Sequence, residues 1–219
     1  MGKETNAKAS LILSMVIFGT IGIFRKYIPL PSGIVACARG ILGVAFLLIF
    51  IKIKKIKMDG KAIKKHLAIL LVSGGFIGLN WVLLFESYRY TSVAVATLCY
   101  YMAPIFVMIV SPFLLKEKLT GRKMLCVIVA LIGMVFVSGV LDGGITDISE
   151  LKGILFGLGA AALYASVVMM NQKLREVPTY DKTIMQLGAA AVVLIPYILF
   201  VEDLSAVTLT PLMAIMLIV

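Results

Sequence analysis

The chain has 219 residues, of which 61% are hydrophobic and 15% charged, and its formal net charge is +10. Soluble domains carry about 45–50% apolar and about 25% charged residues, so these proportions exclude a soluble globular fold and indicate a polytopic membrane protein. The basic residues are spread over short stretches between apolar runs rather than gathered on one soluble face, which argues against a nucleic-acid binder.

A membrane-crossing helix needs about 20 mostly apolar residues. Segments of this kind cover 9–27, 32–53, 67–90, 92–115, 123–141, 152–173 and 182–201. The first follows Lys3 and Lys8 as a signal peptide would, but no small-residue cleavage site comes after it, so it reads as a retained helix. An eighth apolar stretch runs only from Pro211 to Val219. At about 1.5 Å per residue it is too short to cross a core of about 30 Å, and the expectation is a piece of a longer protein. Cys37, Cys99 and Cys126 all fall in apolar segments without metal-ligand spacing and read as small packing residues.

The positive charges set an orientation. With the N-terminus inside, one side holds Lys3, Lys8, Lys52, Lys54, Lys55, Lys57, Lys61, Lys64 and Lys65. The same side holds Lys116, Lys118, Arg122, Lys123, Lys173, Arg175 and Lys182, while the other keeps only Arg25, Lys26, Arg89 and Lys152. Lys/Arg asymmetry of this kind predicts a multi-pass membrane protein with a cytoplasmic N-terminus.

Small residues recur at four-residue spacing in the third segment (Gly74, Gly78) and the sixth (Gly153, Gly157, Ala161, Ala165), which lets helices approach closely in lipid. A weak internal echo relates "SMVIFGTIGIFRKY" to "GAAALYASVVMMNQKL" and brings Arg39 within one position of Gln186. Five helices between two copies would give them opposite orientations, the inverted repeat of many secondary transporters.

The intramembrane polar residues are few. Ser73, Asn80 and Ser87 repeat every seven residues and share a face of the third helix, with Asn80 and Trp81 near the bilayer midplane. Glu86 lies on a different face near the outer end, and Arg39 lies about 10 Å deep in the second helix. Their similar depth suggests an Arg39–Glu86 pair, either structural or part of a coupling or gating device, because buried charges in lipid seek partners. In "CYYMAPIF", Pro104 removes a backbone donor, so a kink is expected near Tyr100 and Tyr101, with the freed carbonyl suited to a cavity wall. Tyr164 sits mid-span in the sixth helix. Asn171, Gln172 and Gln186 read as helix-to-helix hydrogen bonds, and His66 is assigned no role. The chain contains no HExxH, G-x-S-x-G or Walker-type loop, so no enzymatic motif and no cofactor are expected.

Residues 85–139, "FESYRYTSVAVATLCYYMAPIFVMIVSPFLLKEKLTGRKMLCVIVALIGMVFVSG", resemble the EamA-like domain of the drug/metabolite transporter superfamily. The likeness lies in the order of its parts. Tyr90-Thr91-Ser92 precedes an alanine-rich helix, followed by the central Pro104, then Glu117-Lys118-Leu119 and a glycine-bearing fifth helix; the early "FGT" and Arg39 fit as well. The resemblance implies an all-α bundle of inverted five-helix repeats around a central cavity. The first repeat would be 9–141, and 152–219 would begin an incomplete second one. It implies a secondary transporter, an exporter of small metabolites such as amino acids. Its partners would be a small-molecule substrate, the lipid bilayer and a second copy in a homodimer. An integral membrane enzyme or a non-transporting membrane subunit is the alternative. Asn80, Trp81, Tyr100, Tyr101, Pro104 and Tyr164 are the expected substrate-binding residues, with Glu86 and Arg39 for coupling or gating. Glu117 matches the family motif in a structural role.

Overall fold

The structure is a computed structural model, and it describes residues 8–10, 12–14, 16–17, 30–115, 120–137 and 148–202. Lipid offers no hydrogen bonds, so a spanning backbone must satisfy itself, and helices result. They are α1 (Ser32–Ile53), α2 (Gly60–Lys65), α3 (Leu67–Tyr90), α4 (Val93–Tyr100), α5 (Ala103–Leu115), α6 (Gly121–Val137), α7 (Ile148–Gln172) and α8 (Thr179–Val201). Short helical stretches within 8–17 precede them; the rest of the expected first span, Glu117 and the eighth apolar stretch lie outside the described residues.

Five described stretches are long and apolar enough to cross a membrane: Ser32–Ile53, Leu67–Tyr90, Val93–Pro112, Glu150–Gln172 and Thr179–Val201. The protein is a helical membrane bundle. Its exterior is correspondingly greasy, with Phe46, Ile49 and Phe200 all exposed.

Helix α3 is the hub and packs against α7, α8 and α1. Its contacts with α7 run antiparallel: Ser87 donates to the Gly153 carbonyl at 2.7 Å and Asn80 to that of Ala160 at 2.5 Å. Its contacts with α8 run parallel and depend on the small-residue stripe. A Cβ on Gly74 would lie 2.5 Å from the Gln186 carbonyl oxygen, so only hydrogen fits there. Helices α1 and α8 are antiparallel, with Gly33 beside Tyr197, Gly40 beside Ala191, and the Phe50 and Tyr180 rings 5.5 Å apart.

One feature agrees with the sequence expectation and one adds to it. Within the stretch Val93–Pro112 the helix is interrupted at Tyr101–Met102, just before Pro104, and α5 resumes at Ala103, where the missing proline donor predicted an irregularity. Pro104 then occupies the first turn of α5, where its missing N–H costs least. The loop after α1 contains the extra helix α2, whose start is capped by Asp59 accepting from the Lys61 and Ala62 amides at 3.0 and 3.1 Å.

The lysine-rich end is tied across the bundle. The Asp59 amide donates to the buried Asp181 at 2.7 Å, linking the loop after α1 to the first turn of α8. Lys65 meets Glu176 at 2.5 Å and His66 meets it at 3.3 Å. Lys65, followed by His66, holds the Glu176 carboxyl below the ordinary carboxylate range. His66, which the sequence left without a role, thus belongs to a surface ion cluster.

Candidate functional site

Arg39 lies two turns inside α1, half-buried, on the side that meets α3. Its guanidinium carbon stands 4.9 Å from the Trp81 ring centroid and 5.8 Å from that of Phe85. A guanidinium over an aromatic face is attracted by the ring quadrupole, and the attraction strengthens as water is removed. The Tyr88 and Tyr100 hydroxyls lie near enough to interact with its charge. Tyr100 ends α4 at the helix break, reaches Asn80, and packs its ring 5.6 Å from that of Tyr164 on α7. Arg39, Trp81, Phe85, Tyr88, Tyr100 and Tyr164 therefore form one cationic, aromatic wall drawn from four helices.

The expected Arg39–Glu86 pair is not formed. Glu86 instead receives Arg89 Nη1 at 3.0 and 3.2 Å from its own helix, and Ser32 Oγ at 2.6 Å from the start of α1. The reason is geometric. Ser32 is level with Glu86, whereas Arg39 sits seven residues, about 10 Å, further along α1. Beside this group Glu202 accepts the Gly33 and Ile34 amides at 2.6 and 3.2 Å. It caps α1, whose Pro31 cap position has no side-chain acceptor. A carboxylate at a helix N-terminus satisfies orphan amides and complements the helix dipole. Carboxylates from α3 and from the end of α8 thus both converge on the first turn of α1.

Asn80 is 1% exposed, and its amide goes to the Ala160 carbonyl, so it lies in the α3–α7 interface behind Tyr100 rather than facing open space. Gln186 is also buried and donates to Ser73 Oγ at 2.7 Å and Asn171 Oδ1 at 2.9 Å, the helix-to-helix role read from the sequence. Tyr101 is 58% exposed and Pro104 is exposed one turn on, and the described residues do not bring either against Arg39. A cavity of about 330 Å³ lies toward the lysine-rich end, lined by Phe76, Phe106, Val110, Ala165, Met169 and Lys173 among others. Sequence reasoning missed Phe85, Tyr88, Ser32, Arg89 and Glu202. The first two were readable, because Trp81, Phe85 and Tyr88 fall at i, i+4 and i+7 on one helix face.

Known proteins resemble this chain along most of its length. Residues 7–139 match the EamA-like transporter family. An uncharacterized transporter of Bacillus subtilis, YxxF, is 31% identical over 201 residues, covering 90% of this chain and 64% of the relative. An uncharacterized transporter of Archaeoglobus fulgidus is 27% identical, covering 88% of this chain and 66% of its own length. The chain thus spans just under two thirds of these relatives. A solved crystal structure superposes with a TM-score of 0.68 at 18% identity, covering 94% of this chain and 71% of that one, which establishes a shared fold.

Proposed function

This chain belongs to the EamA-like transporter family, and from that premise we propose that it works as a secondary transporter exporting small metabolites, amino acids among them. The observation that carries the reading is the interruption between α4 and α5, which directly follows Tyr100, a neighbour of the half-buried Arg39. Interrupted helices are costly in lipid and are tolerated where they line a cavity or a midplane binding site. The lysine-rich end is assigned to the cytoplasm on the Lys/Arg asymmetry, and the inner (plasma) membrane is the location that goes with the exporter reading.

Alternating access follows from the two ends. At the outer end, Glu86 and Glu202 tie the first turn of α1 to α3 and α8. At the inner end a cavity remains between α3, α5 and α7. This arrangement suits a state that loads from the cytoplasm. Helices α1 and α8, second in their respective repeats and antiparallel in contact, are the pair that rocks. Glu86 is the gating group, since protonating it would weaken its hold on Ser32 and Arg89. Arg39, Trp81, Tyr100 and Tyr164 face the solute, with Asn80 setting Tyr100 in place.

The test is counterflow in proteoliposomes with the twenty labelled amino acids. Saturable exchange is expected for at least one, with Glu86→Gln inserting normally but losing the pH dependence of flux. Conversion of solute into a new product, or no saturable exchange of any of them, refutes the exporter reading. Wild-type rate and pH dependence in Glu86→Gln refute the gating role.

A further inference from the structure

We propose that Arg39 and Trp81 form a seat for a carboxylate, so that the solute is read by its anionic group and carried with a small apolar or aromatic body. The inference rests on the transporter reading for its physiological meaning, but its geometry stands apart from it.

A cation inside a spanning helix normally finds an anion, because lipid leaves it few other partners. Arg39 has none among the described residues: its contacts are aromatic rings. The two carboxylates that meet the start of α1 are engaged elsewhere, Glu86 with Ser32 and Arg89 and Glu202 with the amides of Gly33 and Ile34. The guanidinium carbon stands over the Trp81 ring, and among the described residues its five N–H donors, set in a planar fork, meet no carboxylate and can take a ligand. That fork matches a carboxylate bidentately, and being permanently charged it binds anions across the physiological pH range.

The surroundings define the rest of the ligand. The half-buried Tyr88 continues the aromatic edge along α3, the fully buried Phe85 backs it from the core, and Tyr100 adds a hydroxyl beside the cation. Among the described residues no carboxylate faces this wall to receive an ammonium group. The anion is therefore the recognised feature. Trp81 and Arg39 act as one unit: the ring holds the guanidinium in place and itself borders the seat.

Trp81 is the single tryptophan of the chain, so its fluorescence reports the seat directly. The intact protein in nanodiscs is titrated with two isosteric pairs, phenylacetate against phenylacetamide and hexanoate against hexanamide. The expected result is a saturable change with at least one carboxylate, and at least tenfold weaker response to its amide. Arg39→Lys, which keeps the charge but loses the fork, should weaken that carboxylate at least tenfold, and Arg39→Gln should abolish the response. The comparison of acid with amide uses the wild-type protein and survives a variant that misfolds. Equal titration by acid and amide, no saturation by either acid, or undiminished binding in a folded Arg39→Gln protein would each overturn the proposal. The two readings separate cleanly. Carboxylate-selective fluorescence without counterflow leaves the seat and removes transport, whereas counterflow with unselective fluorescence does the reverse.

Discussion

Gly74 and Gly75 are adjacent in α3, yet the structure predicts opposite responses to the same substitution. A methyl on Gly74 would sit 2.5 Å from the Gln186 carbonyl oxygen and 2.6 Å from the Ala189 Cβ, whereas on Gly75 its nearest neighbour is Val193 Cγ2 at 3.4 Å. Alanine gains about 1 kcal/mol of helix propensity over glycine at either position. At Gly74 that gain is outweighed, because α3 and α8 must separate by roughly an ångström and overpacking costs about 1–3 kcal/mol. The separation also stretches the buried Gln186–Ser73 bond of 2.7 Å, a type of contact worth about 0.6 kcal/mol in membranes. Gly74→Ala should therefore lose about 1–2 kcal/mol net, while Gly75→Ala should be neutral or gain up to about 1 kcal/mol. Thermal unfolding in detergent followed by a thiol-reactive dye suits the measurement, since Cys37 and Cys99 are buried and become reactive on unfolding. Gly74→Ala matching the wild type, or Gly75→Ala losing as much, would show that α3 and α8 do not meet through this stripe.

Three further outcomes follow from the same contacts. Glu202→Ala removes the acceptor for the Gly33 and Ile34 amides and should lower stability by about 1–2 kcal/mol, measured in the same unfolding assay. Asn80→Leu deletes the 2.5 Å bond to Ala160 and should cost about 0.6–1.7 kcal/mol, with faster hydrogen exchange where α3 meets α7. Glu176 is a carboxyl held low by Lys65 and His66, so its stabilising effect is present above its unfolded value and disappears as pH falls through the folded one. The difference in thermal midpoint between wild type and Glu176→Gln should accordingly shrink as the medium is acidified below the ordinary carboxylate range. A difference that grows on acidification would contradict the cluster.

The spans could be read from the chain because their cause is local: a stretch of about 20 apolar residues in lipid has helix as its solution. Hence the boundaries 32–53 and 67–90 agree with α1 and α3 to the residue. The small-residue stripes were equally visible, because Gly74 and Gly78 need only helical periodicity to fall on one face. Pro104 likewise marked the irregularity in the fourth span, and the turn falls at Tyr101–Met102 immediately before it.

Partnership was decided by the tertiary structure alone. Counted along their own helices, Arg39 and Glu86 fall at similar depths from the same end of the bundle, which allowed them to pair. Packing instead sets Ser32 of α1 level with Glu86 and leaves Arg39 about 10 Å further along, over Trp81, while Arg89 closes on the carboxylate from one turn along α3 itself. Glu202 closes the first turn of α1 from 169 residues away along the chain, a contact no local pattern announces. Periodicity assigns a residue its depth and its face on one helix, but which faces meet is set by packing between helices far apart in the chain.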